Sequence, residues 1–208
     1  GQYIYFTASK DGSLGANLYR VRLDGSGQTR LTQGRGSHSI EWNKDRSFFL
    51  DRVSSLASPP EVRLCDGRDG RVLEVVARAE IPALKEYRFS APELLTIPAR
   101  DGFGMDATIL KPVPFDPGQK YPLWLPTYSG PDAPSVADRW NGDPWLQFLA
   151  QHGIAVLQVN NRTSSQRGVA AVSKCWQQLG VQELADLEDA LQWISQNQPW
   201  ADTGRVGI

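Results

Sequence analysis

The stretch best equipped for chemistry is Thr127-Tyr128-Ser129-Gly130-Pro131, which closes an apolar run beginning at Tyr121. Such a run reads as a buried strand, and in parallel sheets ligands collect just outside the carboxyl ends of the strands. A tyrosine hydroxyl placed there can donate to the oxyanion of a tetrahedral intermediate, because an ordinary pKa near ~10 keeps it protonated at neutral pH. The bland alternative is a tyrosine that packs on the strand end. Acyl transfer also needs a nucleophile, and the usual turn for a serine nucleophile, Gly-x-Ser-x-Gly, occurs nowhere in the 208 residues. The last residues, Asp202-Thr203-Gly204-Arg205-Val206-Gly207-Ile208, follow a long helical stretch and read as the start of a strand that leads into such a turn. The expectation is therefore a nucleophile beyond Ile208.

Other side chains are weaker candidates. Arg162 ends a second apolar run, Ile154–Val159, and is expected to act as a structural fork for a carboxylate or loop carbonyls more than as a substrate anchor. His38 lies in a turn-rich β segment. His152 sits beside the helix stop at Gly153, where a cation suits the helix dipole, so neither is expected to be a catalytic base. Glu183, Asp186, Glu188 and Asp189 are expected on a solvated helix face, dispersed too widely to hold a metal. Cys65 and Cys175 are read as inert packing residues, and two Cys with two His fall short of a metal site. Trp140, Trp145 and Trp176 are read as core or interdomain packing.

The elements that must hold these residues fall into two regions. Up to about residue 80 the chain reads as all-β: Tyr3–Ala8, Asn17–Leu23, Ser47–Val53, Val62–Cys65 and Val72–Val76 alternate with turns rich in Asp, Asn and Gly. Leu18-Tyr19-Arg20-Val21-Arg22-Leu23-Asp24-Gly25 is echoed by Val62-Arg63-Leu64-Cys65-Asp66-Gly67 at a displacement of about 42 residues, near the ~40–45 of propeller blades. A β-sandwich fragment is the alternative. Residues 81–92 read as a linker.

From residue 93 to 208 the pattern changes to α/β. Leu94–Ala99 and Met105–Leu110 flank Arg100-Asp101-Gly102 as a hairpin, and Tyr121–Tyr128 is a strand interrupted by Pro126. Asp143 and Pro144 are the N-cap and first residue of a helix whose apolar face is Trp145, Phe148 and Leu149. Further helices are expected over Val169–Leu179 and along Leu184, Leu187, Leu191 and Ile194. Strands alternating with helices imply crossovers and a mostly parallel sheet.

Composition excludes several function classes. A net charge of -1 with no basic tract gives no bulk attraction to nucleic acid or anionic membrane, and no stretch approaches the ~20 apolar residues of a membrane span. The sequence opens on Gly1 with no leader pattern, and no compartment follows from it.

Taken together, several of these motifs resemble the prolyl oligopeptidase family. Phe115-Asp116-Pro117, Lys120-Tyr121-Pro122, Leu123 to Tyr128 and Gly130-Pro131 look like the opening of its catalytic domain, more narrowly that of the dipeptidyl peptidase IV branch. Asn161-Arg162, Arg167-Gly168, Leu179-Gly180, Glu183, Asp186, Asp202 and Arg205-Val206-Gly207-Ile208 continue the pattern in order, while Leu31-Thr32, His38, Trp42 and Phe49-Leu50-Asp51 resemble the last blades of its propeller. The resemblance implies β-propeller blades over 1–80, a linker over 81–92 and the first half of an α/β-hydrolase domain over 93–208. It implies a serine peptidase acting on short peptides through an acyl-enzyme without cofactor or metal, and it leaves room for a homodimer. Tyr128 takes the family's oxyanion-hole position, with Pro131 and Arg162 as substrate-side neighbours; the nucleophile and the triad Asp and His would lie outside this chain, which alone would be inactive. An α/β-hydrolase esterase and a non-catalytic propeller–hydrolase interaction protein are the alternatives. Where the family commonly has Asp-x-Arg-Gly, this chain has Asn160-Asn161-Arg162-Thr163, and that departure, with Pro126, reads as drift.

Overall fold

A computed structural model describes residues 2–80, 82 and 86–208. Of the linker expected over 81–92, Ile81, Ala83, Leu84 and Lys85 lie outside the described residues. The chain divides into two compact units, Gly1–Ile81 with Ala137–Asn141, and Pro82–Val136 with Gly142–Ile208.

The first unit holds two antiparallel sheets. Strands β1 (Tyr3–Ala8), β2 (Asn17–Arg22) and β3 (Thr29–Arg30) form one, and β4 (Ser37–Trp42), β5 (Phe48–Ser55), β6 (Ser58–Asp66) and β7 (Val72–Arg78) form a meander. They are open sheets, not closed into a ring. Along β5 the period-2 alternation buries Phe49, Asp51 and Val53 and turns Phe48, Leu50 and Arg52 outward. Leu18, Leu31, Phe49 and Cys65 make the core, with Trp42 against Tyr5 and Phe49. His38, on β4, is buried with Nδ1 2.8 and 2.9 Å from the two carboxylate oxygens of Asp51. Strands β3 and β4 escape the sequence reading, because Ser37-His38-Ser39-Ile40-Glu41-Trp42 mixes polar residues into both faces. The 137–141 segment belongs to this unit through Asp138, whose N–H donates to the Leu14 carbonyl (2.7 Å) and whose carboxylate accepts the Leu56 N–H (3.0 Å).

The second unit is built on a five-stranded sheet ordered β12-β10-β11-β9-β8, from β8 (Glu93–Pro98), β9 (Gly104–Leu110), β10 (Tyr121–Trp124), β11 (Ala155–Val159) and β12 (Ala201–Gly207). Only β12, β10 and β11 run parallel; β9 pairs antiparallel with both β11 and β8. The sheet is thus mixed rather than mostly parallel, because β9 alone runs against the other four strands and makes both of its pairings antiparallel. Helix α1 (Pro144–Gln151) covers one face through Leu146, Leu149 and Ala150 against Leu110 and Val156. Helix α3 (Val181–Asn197) covers the other through Leu187, Ala190 and Ile194.

Several expectations change here. The N-cap is as expected, with Asp143 Oδ1 accepting the Trp145 N–H at 2.9 Å. Trp145 and Phe148, however, stack on each other on the exposed side of α1, 5.6 Å between ring centres, and Leu184 of α3 also faces outward. Trp176 is likewise exposed. The helix expected over Val169–Leu179 shrinks to α2 (Val169–Val172) and a 3-10 turn at Ser173–Cys175, since Gln177 takes a positive φ of 57° that no helix can continue through. Strand β10 stops at Trp124, so Pro126 lies outside it and removes no ladder bond. The proline inside the strand is Pro122, and the register shifts between it and Leu123, the irregularity a missing N–H invites.

Two outcomes follow from these cores. Gly70 has a φ of +75°, and a Cβ there would sit 1.8 Å from the Leu31 carbonyl oxygen. Gly70→Ala should lower stability by at least about 1–3 kcal/mol, the cost of the backbone conformation alone, read from a thermal or urea melt. Burial, and secondarily the Asp51 carboxylate, push the Cys65 thiol up to about 11. Because the thiolate is the reactive form, Cys65 should stay silent to a thiol reagent at pH 8 until the protein unfolds; fast labelling of the native state would contradict this.

Candidate active-site turn

β10 lies between its parallel neighbours β11 and β12, so the three chain ends leave the sheet on the same side. The turn after β10 is therefore at the edge where parallel sheets bind ligands. The outgoing limb is held by the Leu125 N–H on the Gly207 carbonyl (2.8 Å). Beyond it Thr127 Oγ1 and Ser129 Oγ are 2.6 Å apart, and the Gly130 N–H donates to the Tyr128 carbonyl. The Tyr128 ring folds over Gly130, where a Cβ would come within 2.8 Å of its Cε1 and move the ring. Tyr128 remains 76 % exposed, and Pro131 is exposed beside it. A tyrosine packed on the strand end would be covered, whereas most of Tyr128 is open to solvent.

Behind the turn, residues 160–165 are a buried polar block. Asn160, at the end of β11, accepts the N–H groups of Ser135 and Val136 through Oδ1 (2.9 Å each) and donates from Nδ2 to the Val136 carbonyl (2.8 Å). Asn161 Oδ1 accepts the N–H groups of Thr163 and Ser164 at 3.1 Å, an Asx turn closing on itself. The Thr163 hydroxyl lies 3.0 Å from Glu183 Oε1, while the other Glu183 oxygen accepts the Gly180 N–H (2.9 Å) at the start of α3. Asn160 and Thr163, read as drift from the family pattern, each have specific partners here that a carboxylate or a glycine would leave partly unmet.

Arg162 fixes this block. Its Nε and Nη2 donate to Asp186 (2.8–3.0 Å), its Nη1 and Nη2 to Asp101 (2.5 and 3.0 Å), and its backbone N–H also goes to Asp186 (2.8 Å). The guanidinium carbon stands 4.9 Å from the Phe103 ring centre. Hydrogen bonds from Arg162, with the Phe103 N–H second, hold the Asp101 carboxyl down at about 2, and Asp101 and Asp186 in turn raise Arg162 above its ordinary value. The fork expected of Arg162 is the arrangement found. The solvated face expected for the acidic cluster is not: Glu183, Asp186 and Asp189 are buried, Asp189 receiving the Arg100 N–H and Nε at 2.8 Å, and of the four only Glu188 is exposed. A signal for this was present in the sequence, since Glu183, Asp186, Leu187, Ala190 and Ile194 fall on one helical stripe, placing two carboxylates in line with the core-facing residues. The clamp made by Asn160 had no such signal. Among the described residues, no group of three His, Cys, Asp or Glu is placed to hold a metal ion, and His152 spends its Nδ1 on the Phe148 carbonyl (2.8 Å).

Removing one partner from a buried ion pair strands the other charge. Asp186→Ala should cost about 3–5 kcal/mol of folding stability, measured by urea unfolding. The Asp101 contribution has a pH signature. With its folded pKa below the ordinary ~3.9, its stabilisation is complete above about pH 4 and is lost as pH falls toward about 2. The stability difference between wild type and Asp101→Asn should shrink over that window; a difference independent of pH would refute the pairing.

Comparison with known proteins agrees with this architecture. Residues 1–60 match the dipeptidyl peptidase IV (DPP IV) N-terminal region, and residues 140–208 match the prolyl oligopeptidase family. Dipeptidyl peptidase 8 of Homo sapiens is 28% identical over 219 residues, covering 99% of this chain and 24% of the human protein. The probable dipeptidyl-aminopeptidase B of Emericella nidulans is 28% identical over 213 residues, covering 99% and 23%. The crystal structure of Porphyromonas gingivalis dipeptidyl peptidase 4 superposes with a TM-score of 0.92 at 27% identity, over 99% of this chain and 29% of that one. The chain spans about a quarter of the length of the curated relatives it matches. No described helix is long and apolar enough to cross a membrane. With the dipeptidyl peptidase IV N-terminal region matched first, the prolyl oligopeptidase family matched after it, and a shared fold over 99% of the chain, the protein is similar from end to end to dipeptidyl peptidases of the prolyl oligopeptidase family.

Proposed function

We propose that this chain supplies the oxyanion donor and the supporting half of the catalytic unit of a dipeptidyl peptidase-like serine peptidase acting on short peptides. In this reading residues 1–80 are propeller blades, 81–92 the linker and 93–208 the first half of an α/β-hydrolase domain. The observation that carries it is the exposed Tyr128 in the loop that leaves the carboxyl end of β10, a strand between two parallel neighbours.

A serine outside these residues attacks the scissile carbonyl, and the carbonyl oxygen gathers negative charge as the tetrahedral intermediate forms. The Tyr128 O–H donates to that oxygen, with the N–H after the nucleophile as the second donor. The intermediate collapses, expelling the amine and leaving an acyl-serine, which water then hydrolyses over the same donors. Pro131 borders the opening. Arg162, whose donors are spent on Asp101 and Asp186, serves the scaffold and not the substrate. The matching relatives, named as dipeptidyl peptidases, support release of dipeptides as the reaction.

In the intact gene product a fluorophosphonate probe should label a serine outside residues 1–208. Tyr128→Phe should lower kcat on a chromogenic dipeptide substrate by about 10²–10³-fold, the usual loss for one oxyanion donor, with KM little changed. Unchanged kcat would remove Tyr128 from the mechanism, and an unlabelled protein would remove the serine chemistry.

A further inference from the structure

The loop that carries Tyr128 is fixed at its limbs and loose at its tip. The outgoing limb is the Leu125 N–H on Gly207, and the returning limb begins with the Asp132 N–H on the Thr163 carbonyl (2.9 Å). Between them, the hydrogen bonds of Pro126 to Pro131 among the described residues are the short-range ones of Thr127 with Ser129 and Gly130 with Tyr128, whose ring lies over Gly130. The firmest hold on the returning limb is Asn160, 1 % exposed, with hydrogen bonds to both N–H groups of Ser135 and Val136 and to the Val136 carbonyl. A side-chain amide offers the donor and acceptor of a peptide group, so Asn160 continues in its side chain the pairing that β11 ends in its backbone. Without it, the hydrogen bonding of this limb ahead of Asp138 would fall to one backbone bond at Asp132, with the buried Val136 side chain as the other hold.

We propose that Asn160 is the positioning residue for Tyr128: by clamping Ser135 and Val136 it sets the loop geometry that holds the tyrosine hydroxyl where the oxyanion forms. The inference rests on the oxyanion reading of Tyr128 given above. An oxyanion donor works only from about 2.7–3.1 Å, and a displacement on the order of 1 Å can cost about 10²-fold in rate. An aspartate at the same place would accept both N–H groups but would set its charge against the Val136 carbonyl, keeping part of the clamp. Leucine, of similar size, would keep none of it.

The test is a double-mutant cycle in the intact gene product, read as kcat and KM on a chromogenic dipeptide substrate. Asn160→Leu should lower kcat by up to about 10²-fold with KM little changed, and Asn160→Asp should lose less. Combined with Tyr128→Phe, Asn160→Leu should add little, because the hydroxyl it positions is already gone. If Tyr128→Phe slows the enzyme but Asn160→Leu leaves kcat intact, or its loss multiplies fully in the double variant, the positioning role is overturned while the oxyanion reading stands. If Tyr128→Phe itself has no effect, the oxyanion reading falls and the inference with it. Should Asn160→Leu fail to fold, Asn160→Asp in both backgrounds gives the same cycle, with the same outcomes deciding.

Discussion

A guanidinium taken out of water must keep its charge, because arginine does not deprotonate in proteins, and it must find acceptors for its fork of N–H groups. Arg162 is such a group, and the surrounding architecture supplies what it requires. Asp186 comes from the middle of α3, Asp101 from the β8–β9 turn, and Arg162 itself from the end of β11. One residue therefore ties a helix, a hairpin and a central strand at a single point. The desolvation cost of the charge is several kcal/mol, and it is offset only while all three elements hold their places. That makes the network a demand on geometry more than a source of net stability.

The neighbouring residues extend the same constraint toward the chemistry. With Arg162 fixed, the backbone of residues 160–165 is fixed, and its polar groups have no water to turn to. Asn161 folds onto its own loop, Thr163 reaches the start of α3, and Asn160 reaches the loop after β10. The contacts run from the ion pair through the β11 loop to the returning limb at Ser135 and Val136. The exposed tyrosine lies beyond the last of these buried contacts, in the loop whose returning limb Asn160 holds.

Much of the fold was legible in the sequence, and the reasons are local. The Asp143-Pro144 helix start, the hairpin at Arg100-Asp101-Gly102 and the five strands named in the first unit come from cap, turn and alternation chemistry within a few residues. What failed was non-local. Trp145 and Phe148 are apolar and helical in spacing, yet the sheet takes Leu146, Leu149 and Ala150 instead, because the direction in which α1 crosses the sheet selects the face. The acidic residues of α3 looked solvent-bound because carboxylates usually are, and nothing near them in sequence announces Arg162 and Arg100 on the other side. Pro126 seemed to break a strand whose end, at Trp124, is set by where its neighbours β11 and β12 pair.

By itself the sequence determined most of the elements and their order, the family resemblance and the place of Tyr128 in the segment leaving an apolar strand, since each depends on residue type and short-range spacing. The tertiary structure alone decided that the sheet is mixed, which groups Asp186 and Asp189 pair with, and which partners Asn160 and Thr163 meet. Those facts depend on which groups meet across 20 to 90 residues of chain, as Arg162 meets Asp186 and Asp101 and Arg100 meets Asp189. A buried polar group takes its meaning from its partner, and the partner is chosen by packing.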